Sequence, residues 1–354
     1  MSRNQDQGTE PDRYDGTPHP REQPALFGHE QAEMAFLDGI RSGRLHHAWL
    51  IGGPEGIGKA TLAYRVARCL LGLRAGSPDP GRGLAVDPAS PAARQVAALS
   101  HPNLAVLRRT PATDKKAASA TIPVDAVRRA LSVFGTTAAD GGYRVCIVDS
   151  AEDLTISSAN ALLKVIEEPP PRSIFLVVSH APQRVLPTIR SRCRRLLLRP
   201  LGADAVRSVI AVLGSPWADA PADLLDDAVR LGEGSVRRTL DMLDEDKIAF
   251  LKRIAGALDA LPRTEPRTTL ALAEELARRD ADAAYDLALE AVQRWVGRRL
   301  QERAALGPAR LAPLVEVCEK VARSAREIDT YNLDRRPLVL ALFDDLAEAV
   351  RRTA

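Results

Sequence analysis

Leu50-Ile51-Gly52-Gly53-Pro54-Glu55-Gly56-Ile57-Gly58-Lys59-Ala60-Thr61 decides how the rest of this chain is read. The apolar run Ala48 to Ile51 leads into Gly53-x-x-x-x-Gly58-Lys59, and a helical pattern follows. Strand, glycine loop and helix in that order describe a phosphate-binding loop. The glycines let backbone N–H groups turn inward and approach phosphate oxygens closely. The helix N-terminus adds a partial positive charge, and a lysine at position 59 reaches the outer phosphates. Gly53, Gly56, Gly58, Lys59, Ala60 and Thr61 are therefore the candidate nucleotide contacts. One position departs from the pattern. The hydroxyl residue that should follow the lysine and hold magnesium is Ala60, and a methyl group cannot ligate a metal. Thr61 comes next, turned roughly 100° around a helix. Two readings stay open here: a nucleotide site with poor or no hydrolysis, and a loop kept for its packing.

Outward from the loop, apolar runs alternate with helical patterns. Before it, the periodicity predicts a helix over Gln31 to Ser42, with Ala35, Leu37 and Ile40 on one side. After it, a helix runs from about Lys59 to Leu71 with Leu62, Val66 and Leu70 aligned. Arg74 to Ala89 is rich in Gly, Pro and Asp and reads as a surface excursion. A strand fits Leu104 to Leu107, an irregular stretch with a solvated Lys115-Lys116 pair spans Thr110 to Ala120, and a helix fits Pro123 to Phe134. Val145-Cys146-Ile147-Val148-Asp149 is a continuous apolar run ending in an acid, the pattern of a fully buried parallel strand. In phosphate-loop proteins such an acid helps hold magnesium, so Asp149 joins the candidate site. The next residue is Ser150, where an ATPase of this broad type carries Glu to activate water. Ala60 and Ser150 are independent departures on the catalytic path, and together they make hydrolysis by this chain an unfavoured expectation.

A helix over Ser157 to Glu168 is stopped by Pro169-Pro170-Pro171. A strand over Ile174 to Val178 ends at Ser179-His180, and His180 reads either as a phosphate sensor or as a solvent-facing loop residue. Val185 to Arg190 is a short helical turn, followed by Ser191-Arg192-Cys193 and a strand over Leu196 to Leu198. This alternation predicts an α/β fold with a parallel sheet covered by helices on both faces. Three short helical patterns follow, Ala203–Leu213, Ala222–Leu231 and Ser235–Leu243, and form a small lid over about 201–245. From 246 to 354 five longer helical patterns, punctuated by Pro262, Pro266, Gly307 and Pro337, predict an all-helical domain. The first 23 residues have few apolar side chains and are expected to be disordered, leaving 24–200 as the nucleotide-binding-like domain.

Composition excludes other classes. The 354 residues suffice for two or three domains. Forty-nine Lys and Arg against 46 Asp and Glu give a net charge of +3, too small to imply nucleic-acid binding by itself. Aromatics at 4% argue against a row of stacking platforms for single strands. No apolar run approaches the roughly 20 residues of a membrane helix, and the N-terminus has no apolar signal core, so the expectation is a cytoplasmic protein without a membrane partner. Cys69, Cys146, Cys193 and Cys318 form no close pair, which suggests neither a zinc knuckle nor a disulfide framework.

The block Asp149-Ser150-Ala151-Glu152-Asp153-Leu154, Asn160-Ala161-Leu162-Leu163-Lys164-Val165-Ile166-Glu167-Glu168-Pro169-Pro170, Pro182-Gln183 and Ser191-Arg192-Cys193 resembles bacterial clamp-loader subunits of the AAA+ class, from about Leu26 to Leu243. The resemblance implies a DNA-replication role. Such subunits form a heteropentameric ring that loads the sliding clamp of DNA polymerase III onto primer-template DNA. Within the family, motor subunits keep the metal site, whereas the delta-prime type often loses hydrolysis and serves as the ring's stator. Ala60, Ser150 and Leu45-His46-His47-Ala48 look like the delta-prime type. Many relatives carry a cysteine zinc module after the loop helix; 74–98 here has no cysteine, so no zinc is expected. The resemblance further implies that Arg192 is an arginine finger, reaching across a subunit interface to a neighbour's ATP. An ordinary basic surface of Arg190, Arg192, Arg194 and Arg195 is the other reading. Gly234-Ser235-Val236-Arg237 resembles the family's second sensor, so Arg237 is either a nucleotide contact or a structural arginine. ATP or ADP is the possible cofactor, with magnesium only if nucleotide is bound. Three functions remain: a stator without its own ATPase or polymerase activity inside the polymerase assembly, a self-sufficient motor ATPase, and a stand-alone nucleotide switch.

Overall fold

Three strands buried at every position set the layers: β1 (Ala48–Gly52), β3 (Arg144–Val148) and β4 (Ser173–Ser179). Successive strand side chains point to opposite faces. Trp49, Ile51, Val145, Ile147, Leu176 and Val178 accordingly enter one core, and Ala48, Leu50, Cys146, Val148, Phe175 and Val177 another. β2 (Leu104–Leu107) and β5 (Arg194–Leu197) complete a five-stranded, all-parallel sheet of order β2-β3-β4-β1-β5. This is the doubly covered α/β sheet that the AAA+ resemblance implies. The computed structural model describes residues 10, 12–73, 81, 83–110, 119–135, 141–278, 280–331 and 333–353.

Helices α1 (Glu30–Arg41), α2 (Lys59–Gly72) and α3 (Pro91–Ala97) cover the first face, with Phe36 packed at a tilt against Trp49, 4.3 Å between ring centres. Helices α4 (Val124–Leu131), α5 (Ile156–Glu167) and α6 (Pro187–Arg190) cover the second. Thr155 caps α5 by accepting from the Ser158 amide at 3.1 Å, and the prolines after Glu168 end it. Next come α7 (Ala203–Leu213), α8 (Ala222–Gly232) and α9 (Val236–Asp241), with their own small core of Leu201, Val206, Ile210, Val229 and Leu240.

The chain divides into two compact units, Met1–Leu243 and Asp244–Ala354. In the second, α10 (Glu245–Asp259), α11 (Pro266–Leu276), α12 (Asp282–Glu302), α13 (Pro308–Tyr331) and α14 (Arg336–Arg352) enclose a separate core. Tyr285, Trp295, Leu314 and Leu346 lie near its centre, almost fully buried. No helix among the described residues is long and apolar enough to cross a membrane.

The structure corrects two expectations and adds one element. β5 begins at Arg194 rather than Leu196, because its register with β1 pairs Trp49 with Arg194 and lays that guanidinium over the Trp49 ring at 4.7 Å. Helix α3 lies just past the 74–89 excursion, in a stretch to which the sequence pattern assigned no element; seven residues are too few for a helical period to show. The N-terminal segment is not disordered through Gln23. His19 is fully buried and Thr17 nearly so, and the segment is held by polar contacts that an apolar pattern cannot reveal. Residues 1–9 and 11, much of the 74–89 excursion and the Lys115-Lys116 pair lie outside the described residues.

Candidate nucleotide site

The carboxyl ends of the sheet strands gather the site, as open α/β sheets do. β1 delivers the loop, β3 delivers Asp149 and β4 delivers His180. Together with the N-terminal segment and the α7–α9 bundle they enclose a cavity of about 220 Å³. Gly56, Gly58, Lys59, Ala60, Thr61, Asp149 and Arg237 all line it. Thr61 therefore stays on the site despite its turn around the helix.

The glycines are each required for a different reason. Gly53, Gly56 and Gly58 have φ of 146°, 75° and 93°, a region that side chains disfavour. Gly53 does not line the cavity; a Cβ there would come within 2.6 Å of the Leu198 carbonyl, so it serves the approach of β5's exit strand. Gly56 is closed against α9: a Cβ would sit 2.4 Å from Ser235 Oγ and 2.6 Å from Arg237 Cβ. Val236 donates its amide to the Gly56 carbonyl at 2.8 Å, and Ser235 Oγ donates to the Glu55 carbonyl at 2.9 Å. The last lid helix thus fixes the loop directly. Arg237 pairs with Glu55 at 3.4 Å and lies 5.8 Å from the Tyr14 ring centre. Behind the loop, buried His29 bonds the Ile57 carbonyl at 2.6 Å.

Lys59 is 3% exposed and donates to the Pro54 carbonyl. Burial pulls its ammonium from 10.5 down to about 8, opposed by the attraction of Asp149. Asp149 is pushed the other way, from 3.8 up to about 7, first by burial and then by the facing carboxylate of Asp12. Its Oδ2 has no donor opposite it. Asp12, although burial alone would raise it, is held down at about 2 by its hydrogen bond with His19. A protonated Asp149 beside an ionised Asp12 is the arrangement these directions describe.

That arrangement is a poor holder for a metal ion. Ala60 offers no oxygen, Asp149 keeps its proton up to about pH 7, and Ser150 places its hydroxyl 3.1 Å from His180 Nε2 rather than holding a water-activating carboxylate. Among the described residues, no cluster of His, Cys, Asp or Glu fits a metal ion. His180 is solvent-facing but on the cavity rim. Its amide donates to Glu152 Oε1 at 2.8 Å, and burial first, then Lys59, holds its imidazole below the usual range.

Arg192 lies elsewhere. It follows α6, outside the cavity lining, and is exposed. Its guanidinium pairs with Glu167 at 2.6 Å and donates to the Thr188 carbonyl at 3.1 Å. Buried Cys193 anchors the next residue in the sheet's second core, and burial pushes that thiol up to about 12. Asp12, Tyr14, Arg108 and Arg109 also line the cavity, and sequence reading did not find them. Arg108 follows a recognised strand and was visible in principle. Asp12 and Tyr14 sit in a polar segment with no motif.

Residues 28–202 match the family described as "DNA polymerase III, delta subunit". The chain is 36% identical over 189 residues to DNA polymerase III subunit delta' of Pseudomonas aeruginosa, covering 53% of this chain and 53% of that protein. It is 36% identical over 221 residues to the subunit delta' of Escherichia coli, covering 62% and 60%. It is 31% identical over 243 residues to DNA polymerase III subunit gamma/tau of Mycobacterium tuberculosis, covering 66% and 37%. The matched segment thus spans about half the length of the Pseudomonas relative. A crystal structure of a DNA polymerase III gamma-subunit-related protein from Thermotoga maritima aligns at 15% identity and a TM-score of 0.37, over 88% of this chain and 99% of that one. So loose a likeness carries no argument.

Proposed function

We propose, for a chain whose residues 28–202 belong to the DNA polymerase III delta-subunit family, that it acts as a delta-prime-type stator of a clamp loader. In this reading it joins a heteropentameric ring in the cytoplasm, helps place the sliding clamp on primer-template DNA, and does no polymerisation itself. Its own loop retains a phosphate cradle without the groups that hold magnesium and activate water. Its helical unit, Asp244–Ala354, forms the ring's collar.

The observation that carries the reading is the placement of Arg192. It stands exposed and outside its own cavity, on a backbone fixed by buried Ile189 and Cys193. An arginine so placed cannot serve the phosphates of its own loop and is free to serve a neighbour's. A planar guanidinium keeps its charge and binds two phosphate oxygens together. In the isolated chain Glu167 holds it in a resting pose.

Arg192→Ala in the reconstituted loader tests this. The assembly should form unchanged, while turnover at the site that Arg192 completes falls about 10³-fold or more. Unaltered ATPase and clamp loading in an intact assembly would remove the finger role. The purified chain alone should show no magnesium-dependent hydrolysis that Lys59→Ala abolishes.

A further inference from the structure

The N-terminal segment 12–23 is not a passive lead-in. Asp12, Tyr14, Thr17, Pro18, Pro20 and Gln23 all line the cavity that the phosphate loop opens into. The segment crosses the mouth as a strap fastened at both sides. On one side Tyr14 donates to Asp241 at 2.8 Å and packs edge-on against Trp217, whose indole N–H reaches the Gly16 carbonyl at 3.4 Å. On the other, Arg21 donates to the Ala97 carbonyl at 2.8 Å, and Arg68 donates to the carbonyls of Arg21 and Gln23 at 2.7 and 2.6 Å. Just ahead of the first fastening, Asp12 and the preceding Glu10 deliver negative charge. Arg108 takes Glu10 at 2.6 Å and Asp12 at 3.1 Å, and Asp12 also bonds His19 at 2.9 Å while facing Asp149.

We propose that this strap is an autoinhibitory plug, in which Asp12 stands where an incoming nucleotide's phosphates would meet the cations behind the loop. Two facts support competition rather than coexistence. Arg108, a cavity-lining guanidinium that a phosphate would seek, already spends its donors on Glu10 and Asp12. A polyphosphate entering beside the ionised Asp12 would crowd like charges in a poorly hydrated space, where repulsion is weakly screened. The fastenings are mostly polar and reversible, so a bound anion can displace the strap when it takes over Arg108 and Lys59. The device acts on this chain's own loop and is independent of Arg192. Its failure and a failed Arg192→Ala experiment are therefore read separately.

The test uses the full chain and a fluorescent ADP analogue, with chelator present so that no metal contributes. Glu10→Gln with Asp12→Asn keeps the size of both side chains and removes their charge, and with it the ion pairs to Arg21 and Arg108. This double variant should bind the analogue at least about tenfold more tightly than the unaltered chain, and adding Lys59→Met should abolish the gain. Equal or weaker affinity in a variant of unchanged melting temperature would overturn the proposal, as would no binding by either chain. If the double variant does not fold, hydrogen exchange on the unaltered chain decides. The amides of Thr17 and Glu22, bonded to Tyr14 and His19, should lose protection when the analogue saturates the site. Nucleotide bound beneath a fully protected strap would refute the plug.

Discussion

At the scale of single residues, Asp149 carries the most visible burden. It is 5% exposed and carries an oxygen with no donor opposite it. Its carboxyl titrates near 7 when folded, against an ordinary 3.8. Between those values the folded chain keeps a proton that the unfolded chain has released, so stability falls as pH rises through that window. Asp149→Asn keeps the shape, cannot ionise and can donate to Asp12. It should raise the unfolding free energy at pH 8 by about 1 kcal/mol or more, since a tenfold change in proton affinity between the folded and unfolded chain corresponds to about 1.4 kcal/mol. It should also flatten the stability profile between about pH 4 and about pH 8. Urea titrations at both ends of that range measure it; an unchanged profile would mean that Asp149 is not strained by burial. Arg192 offers the opposite case. Its pair with Glu167 lies on the surface, both side chains about 40% exposed (40% and 41%), where such pairs contribute between nothing and about 1 kcal/mol. Glu167→Gln should therefore shift stability by less than about 0.5 kcal/mol in a denaturant titration. A larger loss would mean that the guanidinium is locked to its own subunit and costly to release.

At the scale of elements, the phosphate loop and α9 behave as one piece. Ser235 and Val236 hold the carbonyls of Glu55 and Gly56, so the loop's conformation depends on a helix some 180 residues further along the chain (the Ser235–Glu55 separation is 180). Gly56→Ala combines a disfavoured φ of 75° with a Cβ 2.9 Å from the Arg237 amide, which is backbone and cannot swing away. It should cost about 2 kcal/mol or more and release α9 from the loop, seen as a lower melting temperature and faster exchange at the Val236 amide. The loop itself was legible in the sequence because its glycines and lysine have fixed spacing, and β1, β3 and β4 because strands buried on both faces leave unbroken apolar runs. The strap was not legible. Its order comes from ion pairs between Glu10, Asp12, Arg21 and Arg108, and paired charges leave no periodic trace. β5 was displaced in the reading for a related reason: Arg194 and Arg195 are exposed edge residues whose strand character comes from pairing with β1. The Arg237–Glu55 pair was equally hidden, because only folding brings the two positions together.

At the scale of the whole molecule, the units Met1–Leu243 and Asp244–Ala354 hold separate cores. A unit with its own buried apolar core can fold alone. The first carries the sheet, the site and the strap, all fastened by contacts within that unit. The second begins with its own helix cap, Asp244 accepting from the Lys247 amide at 3.1 Å, so α10 starts without help from the preceding residues. A fragment ending at Leu243 should therefore be soluble, unfold cooperatively and keep the nucleotide affinity of the full chain, strap included. If the helical unit supplies the ring's collar, the same fragment should lose co-purification with the other loader subunits, while Arg192→Ala in the full chain keeps it. Circular dichroism on heating and a pull-down with the partner subunits separate the two effects. A fragment that folds and still enters the ring with full affinity would move the assembly surface into the first unit and deprive the helical unit of its proposed role. A fragment that fails to fold would show that the division into two cores does not extend to independent stability.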